Sequence, residues 1–205
     1  MTEQFVIFDT EYTSWKGCME NGRAEWQKEE IVQIAAIKVD AKTLKVLEEF
    51  NVYVTPVINP ILSDYFINLT GLTNELIEEQ GVPFEQAYWQ FKDFSAGLTC
   101  FAYDMDYGRI SLADGEIMEK NLSFAGMEDK YPPRYSNIAE WFKKRYAENA
   151  VNAGKINSGG TAKLLGVSKE LEQLGLDEHN ALYDVYSLLA GIKYFKAKDL
   201  FSFFA

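Results

Sequence analysis

The sequence predicts an α/β domain, and three patterns predict it. The run Phe5-Val6-Ile7-Phe8 is apolar at every position, as in a central strand covered on both faces. Two more strand-like runs, Ile31 to Val39 and Val46 to Val54, follow with a link short enough for a hairpin. Beyond them, segments with apolar residues at three- and four-residue spacing alternate with short apolar runs, the mark of helices interleaved with strands.

The first strand runs from Phe5 to Glu11. Side chains alternate faces along a strand, so Phe5, Ile7, Asp9 and Glu11 share one face and Val6, Phe8 and Thr10 the other. Tyr12 to Glu30 is polar, carries Trp15 and Trp26, and reads as a long loop beside the two acids. The three strand-like runs form a meander, with Asp40 to Thr43 as the link between the second and third. Ser63 and Thr73 stand as helix N-caps. Phe84, Ala87, Tyr88, Phe91 and Phe94 form a helical stripe whose simplest role is core packing. Leu98 to Tyr103 is a fourth strand that runs into Asp104 and Asp106.

A helix is expected from Tyr107 to Asn121, a short fifth strand over Tyr135 to Ile138, and a helix from Ala139 to Tyr146. Lys143, Lys144 and Arg145 form a compact basic cluster, the usual pattern of a solvated helix face. Short helical pieces follow near Ala162 to Leu165 and up to Leu174, then a last helix from about Glu178 to Phe195. No repeat or linker divides the chain, so residues 1–205 are expected to form a single domain.

Composition narrows the function. The formal charge of −11 and pI near 4.6 argue against broad gripping of a phosphate backbone, which depends on many Lys and Arg contacts. The start MTEQFVIFD has no basic then apolar leader, and no apolar run approaches the ~20 residues of a membrane span. Cys18 and Cys100 have no partner at metal-ligand spacing and fit a reducing compartment. A cytoplasmic protein without a membrane partner is expected.

The chemistry concentrates in acids. Asp-x-Glu is a common tripeptide that usually marks a solvated turn, so Asp9 and Glu11 mean little alone. A second strand ending in acids strengthens them, with Asp104 or Asp106 as the candidate. The last helix supplies another. Asp184 falls three residues after Ala181 and four before Leu188, inside an apolar stripe, where an acid is costly unless a partner or metal compensates it. His179, the only histidine, precedes it by five positions at a helix start that would favour neutral imidazole. Four carboxylates can hold two Mg²⁺ or Mn²⁺ ions. Such a pair stabilises displacement at phosphorus, and a neutral histidine can take the proton from water.

With these residues in place, the sequence resembles the DEDDh 3′-to-5′ exonucleases of the DnaQ-like, ribonuclease H-like superfamily. Phe8-Asp9-Thr10-Glu11-Tyr12-Thr13 is similar to the family's strand-one block and His179-Asn180-Ala181-Leu182-Tyr183-Asp184 to its His-x4-Asp block. Ile58-Asn59-Pro60, Leu62 to Phe66 and Leu69-Thr70-Gly71-Leu72-Thr73 resemble the branch of histone-mRNA and small-RNA 3′ exonucleases.

The resemblance implies a five-stranded mixed sheet, strand two antiparallel, with helices on both faces. It also implies that Asp9, Glu11 and Asp184 bind one metal, with Asp9 bridging to a second. Asp104 fits the second-motif pattern better than Asp106, and His179 would be the general base. Tyr12, Thr13, Thr70, Gly71 and Leu72 fall where the family holds the terminal nucleotide, with Trp15 a stacking candidate by its chemistry. The implied activity is metal-dependent release of nucleoside 5′-monophosphates from single-stranded 3′ ends, RNA favoured and DNA allowed. A hydrolase of dinucleotides or short oligonucleotides suits the −11 charge, and a non-catalytic binding or scaffolding member of the fold is the other alternative.

Overall fold

The computed structural model describes residues 3–18, 22–104, 114–152, 154 and 156–197. Its five strands are β1 (Gln4–Tyr12), β2 (Ile31–Asp40), β3 (Val46–Tyr53), β4 (Thr99–Ala102) and β5 (Arg134–Asn137). They lie in the order β3-β2-β1-β4-β5. β2 runs antiparallel to both neighbours, whereas β4 runs parallel to β1 and β5 parallel to β4. This is the mixed α/β sheet that the sequence predicts. The β2–β3 turn forms because Asp40 Oδ1 accepts from the Lys42 and Thr43 amides and from Thr43 Oγ1, at 3.1, 2.7 and 2.7 Å.

The helices are α1 (Asp64–Thr70), α2 (Asn74–Gln80), α3 (Phe84–Ser95), α4 (Asp114–Phe124), α5 (Ala139–Glu148), α6 (Gly160–Leu164) and α7 (Ala181–Ala197), with a 3₁₀ helix over Ser168–Leu174. Ser63 and Thr73 cap α1 and α2 by accepting from the Phe66 and Leu76 amides. The two faces of β1 feed separate cores. Phe5 and Ile7 pack with Ala139, Phe142, Leu188 and Phe195 of α5 and α7. Val6 and Phe8 pack with Ala87, Tyr88 and Phe91 of α3 and Ile117 and Met118 of α4. Both faces are therefore covered, which is why that run carries no polar residue before Asp9. Of the basic cluster on α5, Lys143 and Lys144 are on a solvated face, Lys143 paired to Glu140, whereas Arg145 is largely covered, paired to Glu148 and lying over the Trp141 ring at 5.5 Å.

The described part of the helix expected from Tyr107 begins at Asp114, and Asp106 and Tyr107 lie outside the described residues. A Cβ on Gly115 would come within 2.7 Å of Tyr135 Cγ, so glycine is what allows the start of α4 to sit against β5. The last helix begins at Ala181 rather than Glu178. His179 takes a left-handed φ of 67° that no helix continues, and Asn180 Oδ1 accepts from the Leu182 amide at the helix start. Among the described residues, no helix is long and apolar enough to cross a membrane.

Candidate active site

The site follows from the two-residue period of β1. Past Ile7 the face that packs on α7 continues as Asp9 and Glu11, and it meets Asp184 on the first turn of α7. One oxygen from each of these three acids lies within 4.8 Å of the other two. Asp9 and Asp184 are buried and Glu11 is partly buried. Among the described residues no Lys or Arg forms an ion pair with any of them. Burial holds the Asp9 carboxyl well above its usual range, and Asp114, Asp184 and Glu11 push it further. Burial likewise raises Glu11, with Asp184 and Asp114 adding repulsion. Asp184 is raised to about 7 by burial, against the opposing hydrogen bonds from Ser158 and the His179 amide.

Ser158 joins two of the acids. Its Oγ lies 2.8 Å from Asp184 Oδ2 and 3.2 Å from Asp9 Oδ1. A hydroxyl has one proton to donate, so both contacts are hydrogen bonds only when one of the two acids is itself protonated. The loop comes this close because residue 159 is glycine. A Cβ there would stand 2.3 Å from Asp184 Oδ1. Ser187, one turn beyond Asp184, fastens the same loop by accepting from the Ala162 amide and reaching the carbonyls of Ser158 and Gly159.

His179 is partly buried, and its backbone N–H donates to Asp184 Oδ1 at 3.3 Å. Its imidazole is lowered below the usual value, as the sequence suggests, but burial is the cause and Glu178 opposes it. The residue stands ahead of α7, not within it.

On the opposite face of β1, Thr10 points to another buried acid. Its amide and Oγ1 both donate to Asp114 Oδ1, at 3.1 and 2.5 Å. Burial raises Asp114 to about 6 against these bonds, and Asp104 adds to the rise. Neither Asp104 nor Asp114 belongs to the three-acid group, and Asn137 clips the Asp104 backbone through bonds of 3.2 and 2.9 Å. Asp114 escapes the sequence reading, which places it inside a helix expected from Tyr107 to Asn121 with no apolar stripe to mark it.

Gln33 is the other residue that spacing alone does not single out, although it is the polar break in an apolar strand. Fully buried and opposite Glu11 in the β1–β2 register, it accepts from the Ala181 amide at 3.0 Å. Its Nε2 donates to Asn51 Oδ1 at 2.9 Å and lies 3.4 Å from Asn180 Oδ1. It ties the central sheet to the start of the helix that carries Asp184.

The expected nucleotide-contacting residues divide. Thr13 is buried, its Oγ1 donating to the Lys28 carbonyl and accepting from the Glu30 amide. Thr70 and Leu72 are also buried, Thr70 Oγ1 bonding the Phe66 carbonyl and the Leu72 amide, and Leu72 packing with Val32, Leu62 and Phe66. Gly71 between them is exposed and left-handed, with φ 73°. Tyr12 is partly buried under the Arg23 guanidinium, 5.7 Å from its ring centroid. Trp15 packs edge-on against Trp26.

An all-oxygen donor set of converging anions with no protein cation fits hard divalent cations. The 3'-5' exonuclease Snipper of Drosophila melanogaster is 32% identical over 89 residues, 43% of this chain and 30% of the relative, so the match spans under a third of that relative's length. The crystal structure of cell-death related nuclease 4 (CRN-4) superposes with TM-score 0.69 at 19% identity, covering 96% of this chain and 64% of that one. The nuclease domain of 3'hExo, a DEDDh family member bound to rAMP, gives TM-score 0.63 at 22% identity, covering 97% and 93%. These last two share the ribonuclease H-like fold with this chain. The family model described as Exonuclease (RNase_T) matches residues 6–190, nearly the whole described domain. On that match, and on the convergence of Asp9, Glu11 and Asp184, this chain belongs to the Exonuclease (RNase_T) family.

Proposed function

We propose that the chain, as a single domain over residues 1–205, is a metal-dependent 3′-to-5′ exonuclease. It removes nucleoside 5′-monophosphates from single-stranded 3′ ends, RNA favoured and DNA accepted. The observation that carries this reading is the meeting of Asp9, Glu11 and Asp184 within 4.8 Å, in a chain of this family. The preference for RNA rests on the resemblance of residues 58–73 to the histone-mRNA branch and on a neighbour whose structure holds rAMP. Two free, buried thiols suit a cytoplasmic setting.

Asp9, Glu11 and Asp184 would hold one Mg²⁺ or Mn²⁺ ion. Asp9 and an acid beyond β1, Asp104 or Asp114, would hold the second. Of these two, Asp114 is the one whose charge is felt at both Asp9 and Glu11. Such ions, when bound, would supply charge neutralisation for the phosphate, a more acidic attacking water and stabilisation of the departing oxygen. The residues of the chain do the remaining work. His179, kept neutral by burial, takes the proton of that water. Its backbone bond to Asp184 couples the base to the metal-holding acid. Ser158 keeps Asp9 and Asp184 together, while Gly71 and Tyr12 border the terminal nucleotide and Trp15, further along the strand, is the stacking residue. The −11 charge favours short or single-stranded substrates held near the end, which keeps the short-oligonucleotide hydrolase as a second reading.

End-labelled single-stranded RNA and DNA 20-mers and a dinucleotide, incubated with Mn²⁺, test both readings. Wild type is expected to release mononucleotides stepwise from the 3′ end. His179→Ala is expected to lose about 10²- to 10⁴-fold in kcat. Wild type that trims none of the substrates overturns the enzyme reading, and a strong preference for the dinucleotide selects the second.

A further inference from the structure

We infer that the apolar shelf of Trp15, Trp26, Val57, Ile58 and Ile61 is a stacking surface for the unpaired bases upstream of the scissile linkage. The chain thus grips a single strand by its bases more than by its phosphates. This rests on the exonuclease reading and extends it to the nucleotides beyond the terminal one.

The shelf is exposed and firmly fastened. Trp26 is 58% exposed, Val57 80% and Ile61 74%. Yet the backbone beneath them is held by a buried carboxylate. Glu30 accepts from the amides of Val57, Ile58 and Asn59 at 2.6, 2.7 and 2.5 Å. The Asn59 side chain donates to the Trp26 carbonyl at 3.0 Å and accepts from the Lys28 amide at 3.1 Å, joining the two loops. Trp15 meets Trp26 edge to face, with centroids 5.2 Å apart, and Ser63 Oγ donates to the Ser14 carbonyl beside it. Trp26, Val57, Ile58 and Ile61 therefore stay exposed on a backbone that is pinned in place.

Position and charge decide the occupant. Trp15 follows Glu11 by four residues, so the shelf begins at most about 14 Å from the acids along the chain. That is about four stacked nucleotides at roughly 3.4 Å each. Lys16 and Lys28 flank the tryptophans and outnumber the exposed Glu25 beside Trp26; neither lysine forms an ion pair among the described residues, leaving both for the phosphates of a strand lying on the shelf. Elsewhere the −11 charge opposes an electrostatic grip. The indoles of Trp15 and Trp26 for the bases, with aliphatic surface beside them and two cations at the rim, fit unpaired nucleotides, and every base has a face to stack.

The test separates this inference from the reading beneath it. Trp26→Ala and the double variant Val57→Ser with Ile58→Ser are compared with wild type on a 10-mer, on the same 10-mer made abasic at positions two to five from its 3′ end, and on a dinucleotide. Tyr131→Ala, an exposed aromatic 82% open and outside the shelf, is the control. The shelf variants are expected to raise KM for the intact 10-mer about 5- to 100-fold. Their effect on the dinucleotide is expected to be at least fivefold smaller. The abasic strand should raise the wild-type KM by a similar factor and erase the difference between wild type and variants. An unchanged KM for the intact 10-mer in both shelf variants overturns the inference, and so does an abasic strand held as tightly as the intact one. If wild type cleaves nothing, the exonuclease reading fails, and polarisation of a labelled 10-mer on the same proteins still decides the shelf. Equal binding of intact and abasic strands then overturns it.

Discussion

Replacing Asp9 with asparagine should stabilise the metal-free protein while ending its hydrolysis. The reason lies in the electrostatics of the site. Burial and the charges of Asp114, Asp184 and Glu11 all act against an ionised Asp9. Asp184 keeps its proton up to about 7 against a usual 3.8. At about 1.4 kcal/mol per pH unit, that corresponds to roughly 4 kcal/mol for Asp184. The sign follows from proton binding. Each raised carboxyl holds its proton more tightly in the folded chain, so the contribution of these site acids to the stability of the metal-free protein is greatest below the ordinary carboxylate range and falls as pH rises from about 4 to about 7.

The Asp9→Asn substitution removes one buried charge and its three repulsions, and the new carboxamide oxygen can still accept from Ser158 Oγ. We expect a gain of about 2 kcal/mol at pH 8 in EDTA, a Tm higher by roughly 4–8 °C for a domain of this size. The gain should shrink towards zero near pH 4. Mn²⁺ at 100 times its Kd should raise wild-type stability by about 2.7 kcal/mol and the variant's far less. Thermal unfolding of both proteins at pH 4.5 and 8, with and without Mn²⁺, reads all of these. A variant less stable than wild type at pH 8 in EDTA, or one that Mn²⁺ stabilises equally, refutes the reasoning.

Three further outcomes follow from neighbouring groups. Asp114→Asn is expected to lower Mn²⁺-dependent kcat by at least a hundredfold and Asp104→Asn by less than tenfold; the reverse order in single-turnover assays would return the second metal to Asp104. Gly159→Ala drives a Cβ to 2.3 Å from Asp184 Oδ1, so it should weaken Mn²⁺ binding by isothermal titration about tenfold and cost about 1–3 kcal/mol in urea unfolding. Unchanged metal affinity would count against the Gly159 approach as a positioning device. Gln33→Ala orphans the Ala181 amide and the Asn51 carboxamide, at about 1–3 kcal/mol for a buried polar group left alone. It should lower kcat more than it raises KM, and a purely thermal loss with normal kcat would make Gln33 structural only.

The β1 pattern was legible because strand alternation is local: a single strand's residues suffice to place Phe5, Ile7, Asp9 and Glu11 on one face. Asp184 was legible for the same reason, as an acid inside an apolar helical stripe. The caps at Ser63 and Thr73 also depend on neighbours three residues away. Asp114 was not legible, because its significance is a pair of bonds to Thr10 across 104 residues. Only the placement of β4 beside β1, with α4 tucked against β5 by Gly115, brings it there.

The same holds for Gln33, whose partners Asn51 and Ala181 belong to an adjacent strand and a distant helix, and for the apolar shelf, which a buried Glu30 assembles from two loops. The sequence by itself determined which residue types stand at the end of which strand or helix, since period and capping are properties of neighbouring residues. Tertiary structure alone decided which of those acids face one another, because burial and repulsion depend on distances through space. Asp9 and Glu11 entered as a common tripeptide; the packing of α7 and α4 against the two faces of β1 made them the centre of a site.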